Sequence, residues 1–248
     1  MDIWRRWLSD PSTKLLVAEE EGRPVGIMAV KLREEGREAF LCAARVHPAH
    51  RRKGVATKLA LACLEYAREA GAAYAKLSTE NTNRPAAKLA EKLGFKLAAS
   101  YREVRAAPRE ARLEPRVQPI PPGEAEKAVS TSKRFTGSPM LFSFYEWLPL
   151  TEERAREYCE EGFAASVEDG VLLYQPLTFY ERIQLVIDLL YATRGAAAHL
   201  GAHLRHEARR LGCAGVAGFV PEGEALLGLA EARYRILKSG HLIYTMEL

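Results

Sequence analysis

Three basic side chains stand directly before a glycine in the stretch HPAHRRKGVATKLA, which covers residues 47–60. The first turn of a helix leaves backbone N–H groups without intrahelical partners, and the helix dipole makes that end partly positive. Small residues such as Gly54 and Ala56 let an anion approach this backbone closely. The stretch therefore predicts an anion site at a helix N-terminus, with pyrophosphate as the best fit. The basic residues at its rim are Arg51, Arg52 and Lys53.

Two common phosphate loops do not describe this stretch. The G-x-x-x-x-G-K-[ST] pattern of P-loop proteins is absent from the sequence, and so is the dinucleotide pattern G-x-G-x-x-G. The anion site therefore belongs to another kind of strand-to-helix connection.

The elements around the stretch must bring it to a sheet edge. We predict a short first helix, two strands within residues 14–32, and a third strand that ends before Pro48. An amphipathic helix runs from Gly54 to Gly71, where glycine suits its C-terminal end. A buried strand, a short helix that ends at Gly94 and a last strand follow.

A second series of elements follows a segment rich in proline and charge at residues 106–125. Gly195 and Gly212 enclose a helix of the same length as the one between Gly54 and Gly71, and the order of the surrounding elements is the same. This similarity predicts an internal repeat. The predicted divisions are a first domain at 1–106, a linker at 107–123 and a second domain at 124–248.

Composition favours a globular, cytoplasmic protein. The chain has 248 residues, 48% of them hydrophobic, and a formal net charge of +4, which is weak support for nucleic-acid binding. Apolar runs are too short to span a bilayer, and the N-terminus lacks the apolar segment of a signal peptide. The four cysteines form no C-x-x-C unit, so no metal site is predicted. We expect no nucleic acid or membrane partner, a monomer or homodimer, and a thermophile-like composition with little Asn and Gln.

The region from residue 12 to 105 resembles the GNAT superfamily, the acyl-CoA-dependent N-acetyltransferases. The family's [QR]-x-x-G-x-[GA] signature corresponds to Arg51-Arg52-Lys53-Gly54-Val55-Ala56. Its N-x-x-A pattern corresponds to Asn83-Arg84-Pro85-Ala86, and a family-like terminal run reads Glu91-Lys92-Leu93-Gly94-Phe95. The resemblance implies an α/β (α+β) fold with two GNAT-like mixed-sheet domains in tandem and helices on both faces. Compared with the family, the first domain is short at its N-terminus, which leaves open whether the native start lies upstream.

The resemblance also implies a ligand, acetyl-CoA, and an amine acceptor. The pyrophosphate would lie on the amides of residues 52–57, and the pantetheine would run beside the strand that ends at His47. Asn83 would reach the ligand from the next helix. The implied cofactor-binding residues are Arg45, Val46, His47, Arg51, Arg52, Lys53, Gly54, Val55, Ala56, Thr57, Asn83 and Ala86.

In the second half, the corresponding helix entry reads YATRGAAAHL. Arg194, Gly195 and Ala197 remain, but two of the three basic residues and the N-x-x-A pattern are missing. We therefore expect this half to pack against the first rather than to bind acyl-CoA.

The residues that would carry acid–base catalysis are missing from their usual places. The family's usual glutamate position falls at about Cys42, and its tyrosine position falls at Ala90. His47 and Tyr101 are the candidate replacements, although a strand-end histidine is commonly structural and a tyrosine in a strand is commonly core. A backbone amide near Val46 could polarise the thioester carbonyl.

Two groups of polar residues could have a functional role, but an ordinary surface position explains each of them as well. His199, His203 and His206 share one face of a helix, which favours a polar surface over a metal site because no carboxylate or cysteine partner is evident. Glu34 and Glu35 could attract a cationic amine, but acidic residues in a turn are commonly solvated.

Two functions from different classes remain open: an N-acetyltransferase that works by direct attack, and a non-catalytic acyl-CoA-binding or sensing module.

Overall fold

Thirteen strands and seven helices form in the part of the chain that the computed structural model describes, residues 3–33, 37–110, 116–143, 146–179 and 181–248. The helices are α1 (Ile3–Ser9), α2 (Val55–Glu69), α3 (Arg84–Lys92), α4 (Ala125–Lys133), α5 (Glu152–Glu160), α6 (Arg194–Arg210) and α7 (Glu224–Glu231). The strands are β1 (Thr13–Glu20), β2 (Arg23–Arg33), β3 (Glu38–Val46), β4 (Tyr74–Glu80), β5 (Lys96–Ala106), β6 (Gln118–Pro119), β7 (Met140–Ser143), β8 (Glu146–Pro149), β9 (Ala164–Val167), β10 (Gly170–Phe179), β11 (Arg182–Ala192), β12 (Gly215–Pro221) and β13 (Arg235–Glu247). Glu34 and Glu35 lie outside the described residues.

Two compact units divide the chain. Unit 1 contains Met1–Ala99 and Leu242–Leu248, and unit 2 contains Ser100–His241. In unit 1, β1, β2 and β3 are antiparallel neighbours, and β3 runs parallel to β4. Alternate residues of β2 and β3 pack with the apolar face of α2 and with α3 in one core. The ring of Trp7 on α1 stacks on Lys31, whose side chain leaves β2 on the opposite side, so helices cover both faces.

Unit 2 has the same kind of mixed sheet. Its strands follow the order β5, β12, β11, β10, β9 and β6, with β11 and β12 parallel and the other pairs antiparallel. Apolar residues of α6 and α7 form a core on one face, and those of α4 and α5 form a core on the other. The strands β7 and β8 form a separate two-stranded sheet. The predicted fold class, a mixed α/β fold with helices on both faces, is confirmed.

The unit boundaries fall inside two strands. Residues 101–106 of β5 pair antiparallel with β12, so they belong to unit 2. The C-terminal residues of β13 belong to unit 1, where Leu248 N–H donates to the Ala73 carbonyl and Tyr244 O–H donates to Glu91. Each unit is thus completed by a strand segment from the other half of the sequence. These limits differ from the predicted divisions at 106 and 123, because strand pairing, rather than proline content, sets them.

The segment predicted as a linker also carries structure. Val117 and Ile120 are buried in the two cores of unit 2, and β6 pairs with β9. Apolar side chains between prolines therefore act here as core residues. Within the described ranges, no helix is long and apolar enough to cross a membrane, and no group of three or more His, Cys, Asp or Glu side chains is arranged to hold a metal ion.

Candidate functional site

The basic stretch forms a tight loop between β3 and α2. A single 3₁₀ turn occupies Pro48–His50, and the backbone then takes positive φ angles of 62° at Arg52 and 80° at Gly54. The helix begins at Val55, as the sequence predicts. Positive φ strains residues that carry a Cβ, so Gly54 suits its position and Arg52 is held in a less favourable conformation. The loop is exposed from Arg51 to Gly54 and open to a ligand.

The first turn of α2 presents unbonded backbone donors. The first main-chain bond of the helix runs from Lys58 N–H to the Gly54 carbonyl at 3.0 Å. The N–H groups of Val55, Ala56 and Thr57 therefore have no acceptor within the helix. Gly54 has no side chain to cap them. Together with the helix dipole and the basic rim, these donors form a candidate anion site.

Side chains fix this loop from two sides. The Arg51 guanidinium donates through Nε to the Val46 carbonyl at 3.2 Å, which ties the loop back to the end of β3. Nδ1 of His50 lies 2.8 Å from the Glu20 carboxylate at the end of β1. The ring of His47 meets the His50 ring edge-on, with centroids 5.5 Å apart. These contacts connect the loop to the ends of β3 and β1.

A close contact at Gly26 sets the position of the helix. A Cβ built at Gly26 on β2 would lie 2.9 Å from Val55 Cγ1 and 3.2 Å from the Arg45 carbonyl oxygen. The first turn of α2 therefore rests directly on the backbone of β2. Gly26 is not among the predicted site residues, although a lone glycine in an apolar strand is a signal of close backbone approach.

The parallel strands β3 and β4 separate beside the loop. Their pairing begins at Glu38 and Tyr74 and ends at Leu41 and Leu77, although β3 continues to Val46. A β-bulge accompanies the separation: β3 gains a residue relative to β2, and Ala43 has a φ of 58°. Since His47 N–H donates to the Val25 carbonyl on β2, alternation along the strand turns the Val46 N–H toward the unpaired edge. Unit 1 thus has an open strand edge that leads to the anion site.

Asn83 caps the N-terminus of α3. Its Oδ1 accepts a hydrogen bond from Ala86 N–H at 3.3 Å, so Asn83 and Ala86, both predicted to bind ligand, are bonded to each other. Such a cap stabilises the first turn of a short helix. The amide nitrogen of Asn83 is a donor that this cap does not use.

The candidate acid–base residues have different surroundings. His47 is exposed at the end of β3, next to the anion site. Tyr101 lies in unit 2, is only 3% exposed, and its hydroxyl is 3.0 Å from the Tyr191 hydroxyl. Burial and the neighbouring Tyr191 raise the pKa of Tyr101 well above its usual value. Position 42 holds a half-buried cysteine and position 90 a buried alanine, so neither position has the glutamate or tyrosine that is usual in the family.

The corresponding helix entry in unit 2 already has protein contacts. The Arg194 guanidinium pairs with Glu231 of α7, with Nε at 2.8 Å from the carboxylate. A Cβ at Gly228 of α7 would lie 2.1 Å from the Arg194 carbonyl oxygen and 2.9 Å from Ala198 N. The first turn of α6 therefore packs on one side against α7, and its arginine is paired with a carboxylate, although Thr193, Arg194 and Gly195 are exposed. Both contacts oppose an anion at this end.

Unit 2 buries an acidic residue that the sequence analysis did not select. Asp188 is 1% exposed and forms the extra residue of a bulge between β10 and β11. Its Oδ2 accepts hydrogen bonds from the Tyr158 hydroxyl at 2.9 Å and from Gln175, whereas Oδ1 has no hydrogen-bond partner among the described residues. Burial raises its pKa to about 7. A single aspartate within the apolar run IQLVIDLLY was the available signal.

Asp188 and Cys42 hold matching positions. Each directly follows the last pair of a parallel ladder, Ile187 with Gly218 in unit 2 and Leu41 with Leu77 in unit 1. The buried acid is therefore present in the unit whose helix-entry arginine is paired with a carboxylate, and it is absent from the unit that has the candidate anion site.

Comparisons with known proteins agree with this geometry. Residues 1–95 match the sequence model of the acetyltransferase (GNAT) family. A GCN5-related N-acetyltransferase from Sphaerobacter thermophilus is 18% identical, with 99% of this chain and 84% of that chain covered and a TM-score of 0.66. A tandem GNAT protein from the clavulanic acid biosynthesis pathway is 17% identical, with 96% and 84% covered and a TM-score of 0.54. These two structures share the fold. The search of curated proteins finds no match.

Proposed function

We propose that the protein transfers an acetyl group from acetyl-CoA to an amine of a small molecule or peptide, because residues 1–95 match the sequence model of the GNAT acetyltransferase family. The observation that carries the proposal is the set of unbonded amides at the N-terminus of α2, open to solvent and edged by basic side chains. A pyrophosphate has the charge and the acceptor oxygens that such a helix end binds.

The binding residues divide into three groups. The amides from Arg52 to Thr57 hold the pyrophosphate, and Arg51, Arg52 and Lys53 add charge around it. The open edge of β3, at Arg45, Val46 and His47, pairs with the pantetheine as an added strand. Asn83 and Ala86 contribute from the start of α3. All of these residues lie in unit 1.

The chain's own groups support direct attack by the amine. In the transfer, the amine nitrogen forms a bond to the thioester carbon, the C–S bond breaks, and the leaving thiolate takes a proton. The Val46 N–H on the open edge is suited to polarise the carbonyl as negative charge develops on its oxygen. An amine with a pKa of about 10 must first lose a proton, and water or His47 serves as its acceptor.

The alternative is an acyl-CoA-binding or sensing module without catalysis. Cys42 and Ala90 favour it, because the positions that usually supply a base and an acid hold neither. Both functions require the ligand site on α2, and they differ only in turnover.

Binding is tested with a pair of variants matched in backbone strain. Gly54→Glu and Gly71→Glu place the same charged residue at exposed positions with φ angles of 80° and 84° and no atom within 4 Å of the added Cβ. They lie at opposite ends of α2. We expect Gly54→Glu to abolish acetyl-CoA binding in calorimetric titration and Gly71→Glu to retain it. Gly195→Glu, at the corresponding helix entry of unit 2, should also retain it. Equal affinities for the first two variants would refute the placement of the pyrophosphate.

Turnover is tested by mass spectrometry with acetyl-CoA and a panel of small amines and peptides. Acetylation of an acceptor by the wild type but not by Gly54→Glu would support the enzyme. Binding of acetyl-CoA without acetylation of any acceptor would favour the sensing module.

A further inference from the structure

We propose that unit 2 carries a separate binding site for a small phosphate-type anion, in a recess where Arg109, Arg205 and Arg233 converge. The recess has a volume of about 350 Å³ and is also lined by Glu110 and Glu231. All of its lining residues belong to unit 2, so it is independent of the anion site on α2.

Arg205 is fixed in the wall of the recess. Its Nε donates to the Ala107 carbonyl and its Nη1 to the Ala232 carbonyl, each at 2.8 Å. Burial lowers the pKa of this guanidinium, and the positive charges of Arg109 and Arg233 lower it further. The side chain is thus both preorganised and surrounded by charge of its own sign. Its remaining N–H groups can bind an anion with little loss of conformational entropy.

The two carboxylates of the recess are engaged by other arginines. Glu231 pairs with Arg194, as described above, and Glu110 lies 3.8 Å from Arg209. Among the described residues, no carboxylate forms an ion pair with Arg109, Arg205 or Arg233. The recess therefore keeps a surplus of positive charge that an anion would neutralise.

Arg233 occupies a position that disfavours any residue with a Cβ. Its φ is 62°, in the left-handed region, directly after α7. Unit 1 makes the same turn after α3 with a glycine, Gly94, at a φ of 94°. In both turns, the N–H of the residue with positive φ donates to the carbonyl three residues earlier. The N–H of the residue after it donates to the carbonyl five residues earlier. A glycine would satisfy the backbone in unit 2, so the arginine is present at a cost in strain and adds a guanidinium to the recess.

The chemistry of the recess favours a compact anion over a nucleic acid strand. Guanidinium groups match the paired oxygens of phosphate in a planar fork. Three of them around a cavity of about 350 Å³ suit a phosphate, a pyrophosphate or a small phosphate ester. A nucleic acid would need basic residues spread along an extended groove.

The test measures pyrophosphate and inorganic phosphate binding by calorimetry in a buffer free of other oxyanions. It uses Arg233→Gly in the full-length chain, with Arg235→Gln as control, because Arg235 is exposed and lies outside the recess. We expect Arg233→Gly to weaken binding in unit 2 by about tenfold, the effect of losing one charge-assisted hydrogen bond. Its melting temperature without ligand should equal or exceed that of the wild type, since glycine relieves the strain. Arg235→Gln should bind as the wild type does.

The two anion sites are separated by repeating the titrations with Gly54→Glu. Saturable binding that persists in Gly54→Glu and is weakened by Arg233→Gly supports the proposal, whether or not the acetyl-CoA site has been placed correctly. Equal affinities for Arg233→Gly and Arg235→Gln, loss of all phosphate binding in Gly54→Glu, or weak binding that never saturates would each overturn it. Tight binding of single-stranded nucleic acid in place of phosphate would also overturn it.

Discussion

In the loop between β3 and α2, the backbone supplies most of the candidate anion site, and Arg51 stabilises the loop. Arg51 uses Nε to bind the Val46 carbonyl, so its side chain is part of the fold before any ligand is present. Arg52 and Lys53 are exposed, and neither side chain makes such a bond within the described part of the chain. The charge pattern of the sequence predicts an anion site at this loop, whereas the structure distinguishes Arg51, which holds the loop, from Arg52 and Lys53, which are available to a ligand.

Asp188 provides a prediction for pH dependence. Burial raises its pKa from 3.8 to about 7, with Gln175 and Tyr158 acting in the opposite direction through their hydrogen bonds. The folded protein then binds this proton more tightly than the unfolded chain does. The stability that Asp188 contributes is fully present below about pH 4 and is lost as the pH rises through 7, a change of up to about 4 kcal/mol.

Replacing Asp188 with Asn removes this titration and keeps an oxygen that can accept from Tyr158 and Gln175. We expect Asp188→Asn to be more stable than the wild type at pH 8, and its unfolding free energy to vary less between pH 4 and pH 8. Urea unfolding at several pH values measures both effects. Glu160→Gln, an exposed change on α5, is the control. Parallel pH profiles for Asp188→Asn and the wild type would show that the carboxyl is not buried as described.

At the scale of elements, the contact between β2 and α2 sets the geometry of the ligand site. Gly26 allows the first turn of α2 to lie on the strand, with Val55 as its nearest neighbour. The helix N-terminus, the end of β3 and the separation of β3 from β4 thereby form one arrangement. A shift of α2 by a few tenths of an ångström would move the unbonded amides relative to the open strand edge.

The corresponding prediction uses Gly26→Ala. The added methyl would lie 2.9 Å from Val55 Cγ1, so the helix must move, and we expect a loss of about 1–3 kcal/mol in stability together with weaker acetyl-CoA binding. Val55→Ala removes the opposing atom, so the double variant should recover part of both losses. Chemical unfolding and calorimetric titration form the double-mutant cycle. Gly123→Ala, which meets no atom within 4 Å, is the control, and additive effects of Gly26→Ala and Val55→Ala would contradict the contact.

The sequence predicts these elements well where their periodicity is long and poorly where they are short. Helical spacing locates α2 and α6, and glycines mark their ends. The strands β6, β7 and β8 have two to four residues, too few to show an alternating pattern. The bulge in β3 also escapes prediction, because Ala43 is not a residue that favours positive φ. Its conformation is imposed by pairing with β2, which no local pattern records.

At the scale of the whole molecule, the sequence shows the internal repeat. It does not show that each unit contains a strand segment from the other half of the sequence, an arrangement called here the exchange of strands. In the sequence, β5 and β13 are each the last strand of a repeat. Local patterning does not specify whether each one pairs within its own repeat or with the other repeat. Tertiary pairing decides that residues 101–106 extend the sheet of unit 2 and that residues 242–248 complete unit 1. A division of the chain at its proline-rich segment would separate each unit from a strand it needs.

The strand segments at residues 100–106 and 242–248 connect the two units along the chain. Because each unit depends on a strand that continues into the other, we expect both to unfold in one cooperative transition. Tyr244 is 2% exposed in the core of unit 1, and Tyr244→Ala should cost about 3–5 kcal/mol there.

Hydrogen exchange tests whether that loss reaches unit 2. The slowest-exchanging amides of β10 and β11 should lose protection by the same free energy in Tyr244→Ala, since global unfolding limits their exchange. Leu8→Ala, at a side chain 69% exposed on α1, should leave their protection unchanged. Wild-type protection of β10 and β11 in Tyr244→Ala would contradict the coupling. Unit 2 would then retain its core after unit 1 has lost the end of β13. The two units would unfold in separate transitions despite the exchange of strands.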